Sequence, residues 1–475
     1  MQKSLVFIVS VFFFWGFVAA SNDILIPVFK EHLQLQQWQS QMIAFAFYVA
    51  YTLGSLGYLL LNSIRKRDLI AEIGFGKALS IGLWVSALGT LLFIPAANNG
   101  SFALLLAGLI VVGIGFSLQQ TVANPLTIRL GTPETGSQRL SLAGGINNLG
   151  TTLGPLLLSF AIFGGAGGDA APEMDIAAVK IPYIILGAFF VLFGLIFWKK
   201  DMGRPEPEAT AEVKSSEGES TDGGLFSQPQ VWMGMLAIFL YVGVEVSTAS
   251  NLPEYLKIYH DVPLSQMAPY ISLFWASLMI GRWTAASGAL GLTGNSRQLA
   301  RWGLPLVAFG IFLGVNSLSG YEVGQFLPYL GIVGLLILAD WAVKGNPAKQ
   351  LLLYALLGVV ATILGMYAGG SFSVFAFLAV GLFCSTLWPC IFTLAIAGMG
   401  ARTSQVSNAL IMMIMGGGFV SVLQGWLGSE ELLGIRDSYW IGVACFGYLA
   451  FYAFTMMGIL RKKGIVLEQA AGGGH

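Results

Sequence analysis

Charge is scarce in this sequence: Asp, Glu, Lys and Arg make up 10% of its 475 residues, against about 25% in a water-soluble chain. Histidine and cysteine are scarcer, with three of each. Cys384, Cys390 and Cys445 lie in apolar stretches, at spacings that suit neither a disulfide framework nor a metal site. His32, His260 and His475 fall in loops or the tail, too dispersed for a catalytic cluster. A Walker A lysine loop, an H-E-x-x-H helix and a G-x-S-x-G elbow with partners are missing too. No enzyme and no resident cofactor is expected. The 24 basic and 24 acidic side chains balance, so no cationic surplus points to nucleic acid.

Apolar residues are what the chain has in plenty: 56% are hydrophobic and the mean hydropathy is +0.75. So little polar surface cannot wrap a core of this size in water, and the chain reads as an all-α polytopic membrane protein with lipid as its outer partner. A crossing helix needs about 20 mostly apolar residues. That rule marks fourteen spans, near 4–28, 38–61, 72–95, 102–126, 140–163, 181–198, 230–257, 266–290, 302–318, 324–343, 350–368, 371–397, 404–427 and 438–460. Residues 4–17 mimic a secretory signal, but no small-residue cleavage site follows. Asn22-Asp23 leads straight back into Ile24-Leu25-Ile26, so this stretch is read as a retained first helix.

With both termini in the cytoplasm, 19 of the 24 Lys and Arg fall on the inner side and four on the outer, with Arg282 left inside a span. That asymmetry sets the expected orientation, in a plasma (inner) membrane. Residues 201–229 form a Glu-, Ser-, Pro- and Gly-rich stretch with few bulky apolar side chains, expected to be a flexible cytoplasmic linker. It divides a six-helix bundle over 1–200 from a second bundle over 230–463, and 464–475 reads as a cytoplasmic tail.

The two sides of the linker repeat each other. Ser40-Gln41-Met42 returns as Ser265-Gln266-Met267, and Pro27 as Pro253, at offsets of 225 and 226 residues. Later, Ser137-Gln138 returns as Ser404-Gln405 and Pro125 as Pro389, at 267 and 264. The jump of about 40 residues equals two spans. A two-helix hairpin is therefore expected near 301–345, inserted into a repeat of six. Parallel six-helix halves related by an axis along the membrane normal are the major facilitator arrangement, with the site between the halves at mid-membrane.

Several stretches resemble the fucose–galactose–glucose:cation symporters of the major facilitator superfamily. Asn22-Asp23-Ile24-Leu25-Ile26-Pro27 resembles that family's N-D-I-L-(L/I)-P, and Gln120-Thr121-Val122-Ala123-Asn124-Pro125 its (E/Q)-x-A-A-N-P. Leu130-Gly131-Thr132-Pro133 opens a loop similar to L-G-P-x-x-(S/T), and Arg139-Leu140 through Asn147-Asn148-Leu149-Gly150 resembles R-L-N-L-x-Q-x-F-N-S-(F/L)-G. Tyr241-Val242-Gly243-Val244-Glu245-Val246-Ser247 is similar to Y-V-G-A-E-V-S, and Gly281-Arg282 and Gly416-Gly417-Gly418 match later motifs. Two positions depart. Gln120 replaces the glutamate of one branch, and Gly144 replaces a glutamine that the resemblance assigns to sugar binding. The resemblance implies import of a monosaccharide, glucose- or galactose-like, coupled to H⁺ by alternating access and carried out by a monomer. Na⁺ coupling stays open as an alternative, since Ser21 and Asn22 offer further oxygens beside two carboxylates. So does an amino sugar, an N-acetylated sugar or another small solute, and so does a sensor that binds sugar without moving it.

Among individual residues, Asp23 and Glu245 are carboxylates within apolar spans. A charge held in hydrocarbon costs several kcal/mol, so such groups line a path, pair or exchange a proton. Through the 226-residue offset Glu245 falls on Ala19, one turn from Asp23, which puts both acids on similar faces. Arg282 completes the candidate coupling set, and an ion pair with either acid would account for it equally. For substrate, Asn22, Gln120, Asn124, Asn147 and Glu245 are the candidates, because amides donate and accept as sugar hydroxyls do. Gln119, Asn148 and Thr151 read as ties between helices. Trp15, Trp275 and Trp388 lie within spans, where packing competes with stacking on a pyranose.

Overall fold

Backbone groups in hydrocarbon have no water to bond, so a crossing segment must satisfy its own N–H and C=O groups. The computed structural model, which describes residues 3–65, 69–129, 136–163, 180–203, 228–286, 294–343, 346–397, 399 and 403–463, meets that demand with helices and shows no strand among them. The first half holds α1 (Lys3–His32), α2 (Met42–Arg65), α3 (Phe75–Leu91), α4 (Phe102–Arg129), α5 (Gly136–Phe163) and α6 (Lys180–Lys199). The second holds α7 (Pro229–His260), α8 (Ala268–Ala286), α9 (Gly294–Leu318), α10 (Leu330–Val343), α11 (Pro347–Tyr367), α12 (Ser371–Cys384), α13 (Leu387–Ile396), α14 (Thr403–Met412), α15 (Gly416–Leu427) and α16 (Trp440–Lys462). Most of the linker and the 464–475 tail lie outside the described residues.

Thirteen helical segments among the described residues are long and apolar enough to cross a membrane. The remaining expected span, 266–290, is the 19-residue α8. Arg282, Pro269 and several hydroxyl-bearing side chains lower its apolar average, which hides it from a test of hydropathy alone. Two spans expected to be continuous are broken at mid-length. One is α12 and α13, interrupted at Ser385–Thr386, and the other is α14 and α15, joined by the 3₁₀ turn Met413–Met415. Pro389 explains the first: it has no N–H for the Ser385 carbonyl four residues back, and its ring crowds that oxygen. The second runs into Gly416-Gly417-Gly418, where helix propensity is weakest.

The same packing order recurs in both halves. In the first, α1 lies on α5, α2 on α4, and α3 on both α4 and α6; in the second, α7 lies on α15, α8 on α12, and α11 on both α12 and α16. The halves meet along α5–α8 and α2–α15, which are equivalent pairs under that repeat. Close approach within the first half requires glycine. A Cβ on Gly150 would strike the Phe13 carbonyl, and one on Gly16 the Asn147 carbonyl, so α1 and α5 nearly touch backbone to backbone.

The inserted hairpin is α9 with α10 and the 3₁₀ turn Gly324–Tyr329, starting earlier than expected, at Gly294. It packs on the flank of α8 and against α11 and α12, away from the α2–α15 seam. Arg301 binds the Asp340 carboxylate and, at 2.9 Å, the Asp340 carbonyl, clamping α9 to α10. Leu299, Val307, Leu338 and Trp341 turn outward, as a lipid-facing surface would.

Candidate functional site

At mid-depth, where the bundles face each other, apolar packing gives way to a polar group drawn from five helices. α1 supplies Asp23, one turn before Pro27. Because proline has no N–H, the Asp23 carbonyl also loses its helical donor. The Asp23 side chain is 3% exposed and accepts a 2.7 Å hydrogen bond from Trp275 Nε1 of α8, in the other half. A carboxylate on one bundle is thus held by an indole on its partner.

α7 supplies Glu245, half-buried, which accepts a hydrogen bond from the Tyr241 hydroxyl one turn earlier. α8 supplies Arg282. Its Nε donates to the Ser385 carbonyl at 3.2 Å and its Nη1 to Asn148 Oδ1 of α5 at 3.3 Å. The Ser385 oxygen is open to it because Pro389 breaks the helix there, and Gly281 lets α8 approach, since a Cβ would collide with the Ser385 side chain. Neither acid forms an ion pair with Arg282 among the described residues, although Glu245 lies within its electrostatic reach. Tyr48 of α2 packs its ring at Gly417 and stands in electrostatic reach of both Asp23 and Glu245.

The amides expected to face substrate separate into three kinds. Gln120 and Asn124 on α4 are half-buried and have no hydrogen-bond partner among the described residues. Asn147 is committed to α1, donating to the Phe12 carbonyl at 2.9 Å. Asn22 is 2% exposed and neither its amide nitrogen nor its oxygen finds a partner. Gln119, expected as a tie, is one: it accepts from Trp15 Nε1 and donates to Ser86, both at 2.9 Å. Asn148 ties α5 to Arg282 of α8, and Thr151 turns back onto the Asn148 carbonyl. Of the three tryptophans, Trp15 and Trp275 are occupied by Gln119 and Asp23, while Trp388 is half-buried, 6.2 Å from the Tyr241 ring. Gly144 faces open space.

Sequence reasoning passed over Tyr48, Tyr241, Asn148 as an Arg282 ligand, and Ser385. The i, i+4 spacing of Tyr241 and Glu245 was a usable signal. Tyr48 had none, since only packing brings α2 to α1 and α7.

Residues 6–317 match the family described as Major Facilitator Superfamily. A glucose/galactose transporter of Brucella abortus biovar 1 (strain 9-941) is 31% identical over 443 residues, covering 93% of this chain and 91% of the relative. The L-fucose-proton symporter of Escherichia coli (strain K12) is 25% identical over 458 residues, with coverages of 94% and 91%. Among solved structures, the Major Facilitator Superfamily transporter FucP in the outward conformation aligns with a TM-score of 0.60 and 23% identity. That alignment covers 96% of this chain and 99% of the other and is a likeness of fold.

Proposed function

This chain belongs to the Major Facilitator Superfamily, among its fucose–galactose–glucose:cation symporters, and from that membership we propose that it imports a hexose together with a proton. Support comes from the relatives' names, glucose/galactose transporter and L-fucose-proton symporter, and from the polar group between the bundles. The observation that carries the coupling is the Trp275–Asp23 bond, which joins the halves through a buried acid. A neutral Asp23 can stay there when the halves close. A charged one calls for water, which only an open cavity admits. Protonation thereby biases which way the cavity faces, and the sugar moves with it. Tyr48 stands in electrostatic reach of both acids, and Arg282 in reach of Glu245. Gln120, Asn124 and Asn22, with unspent amides, serve the sugar hydroxyls, and Trp388 offers a ring face.

The face carrying Lys3 and Lys463 is the cytoplasmic one in this reading, on the strength of the Lys and Arg asymmetry. The structure is then closed outside. Lys30 pairs with Glu254 and Lys257 with Glu31 across α1 and α7. Inward movement of one positive charge at 100 mV supplies about 2.3 kcal/mol, enough for roughly fifty-fold accumulation.

In proteoliposomes, an imposed inward H⁺ gradient should drive uptake of D-galactose or D-glucose above equilibrium. Asp23→Asn should abolish that accumulation and retain counterflow of labelled sugar. Full accumulation by the variant refutes the coupling role, and accumulation driven by Na⁺ alone at equal pH replaces the proton with sodium. The open space at Gly144 favours a second reading, a sugar bearing an amino or N-acetyl group. Competition by N-acetylglucosamine against labelled galactose tests it.

A further inference from the structure

Outward of the central acids, the closed seam between the halves is built of amides where lipid-like packing would seal it better. α7 leads from Glu245 to Ser250 and Asn251, about 9 Å further out at 1.5 Å per residue. Opposite lie Gln37, in the short helix Gln37–Ser40 before α2, Gln41 between that helix and α2, and, on α15, Gln424 next to Gly425, where an added Cβ would meet the Gln41 side chain and the Gln37 carbonyl. Gln37 Nε2 donates to Asn251 Oδ1 at 2.9 Å, and Gln41 Nε2 to the Ser250 carbonyl at 3.2 Å. Those two bonds leave much unspent. The Oε1 atoms of Gln37 and Gln41 and both amide atoms of Gln424 have no partner. Gln41 and Gln424 are 0% exposed and Gln37 is 7% exposed. A buried amide without a partner is penalised in the closed state and relieved when the seam parts. Among the described residues these amides have no charged side chain between them; the ion pairs Lys30–Glu254 and Lys257–Glu31 lie beyond them, at the ends of α1 and α7.

We propose that this amide seam is an outer binding station for a neutral polyhydroxylated ligand, met when the outer side is open and before the ligand reaches Asp23 and Glu245. Neutral amides that both donate and accept match hydroxyl groups and give no advantage to ions. Closing the seam strips the ligand of these partners and passes it inward, while Gln37 and Gln41 turn to Asn251 and Ser250. The station rests on the transport of a sugar proposed above.

The test holds the outer side apart. A Cβ at Gly418 already lies 2.8 Å from the Phe45 Cα, so Gly418→Trp cannot close the seam. D-galactose and D-glucose binding to that purified variant is measured by calorimetry. Adding Gln424→Leu or Gln41→Leu should raise the dissociation constant at least three-fold, and Gln424→Asn should retain most of the affinity. Unchanged binding in both leucine variants overturns the station while the transport reading stands. A folded Gly418→Trp protein that binds neither sugar overturns both. Should Gly418→Trp fail to fold, Gln424→Leu is compared with the unmodified chain in oriented vesicles. The station predicts a raised KM for entry with KM for exit unchanged. An exit KM that falls as the entry KM rises marks a shift of the conformational equilibrium alone, and overturns it.

Discussion

A single hydrogen bond, from Trp275 to Asp23, connects the buried acid of one bundle to the other. A hydrogen bond to a neutral group, as Asp23 is in the closed state proposed above, contributes about 0.5–1.5 kcal/mol. Trp275→Phe keeps the ring and removes the donor, so it should loosen the outer-closed state by about that much. Maleimide labelling of a cysteine introduced at the outer end of α7 should speed up roughly two- to ten-fold, and unchanged labelling would assign the bond no part in closure. Asn147 and Asn148 show how fine the residue scale is. They are neighbours in sequence and about 100° apart on the helix. Asn147 is absorbed by the Phe12 carbonyl and Asn148 reaches Arg282. A site assignment by residue type was bound to be uncertain between them.

At the scale of elements, the broken helix α12–α13 does more than connect. Pro389 frees the Ser385 carbonyl, and that oxygen anchors Arg282. Pro389→Ala should let the helix run through and withdraw this acceptor, leaving a guanidinium with one hydrogen bond to Asn148. Transport should drop by ten-fold or more, while the helix content read by circular dichroism is kept or slightly raised. Activity equal to the parent would mean that Arg282 needs no anchor from the break. The inserted α9–α10 hairpin contrasts with this. It is clamped by Arg301 and Asp340, flanks α8 and faces outward with apolar side chains. It reaches the first half where α9 touches α5 and where the Tyr321 hydroxyl lies 3.2 Å from Ser159 Oγ of α5.

For the whole molecule, the ion pairs at the end proposed above to be the outer one are reciprocal. α1 contributes Lys30 and Glu31, and α7 contributes Glu254 and Lys257. Lys30–Glu254 is largely buried and Lys257–Glu31 is the more exposed pair; an exposed pair contributes about 0–1 kcal/mol, so Lys257–Glu31 biases closure without locking it, as a cycling transporter requires. Lys257→Glu places like charges beside Glu31 and should shift the population towards the outward-open state. Accessibility of the seam to a membrane-impermeant reagent should rise several-fold. Glu31→Lys in the same chain should restore the original level, and failure of that rescue would deny the pair a gating role.

The all-α, many-span membrane character was readable from the chain, and so were the grounds for expecting two halves and an inserted hairpin. Each depends on quantities written along one dimension: the length of an apolar run, the spacing of a repeat and the jump in its offset. The two buried acids were readable for the same reason, since a carboxylate in an apolar run stands out wherever it points. Which way the helices turn was not readable. Helices buried among other helices and lipid are apolar on nearly every side, so periodicity does not fix their rotation. Only packing decided that Trp275 holds Asp23, that Gln119 is a tie while Gln120 is free, and that Tyr48 stands near both acids. Packing also gathered Gln37, Gln41 and Gln424 into one seam from positions nearly 400 residues apart. Composition placed the protein in a membrane; the meeting of its two bundles gathered the polar side chains proposed as the site.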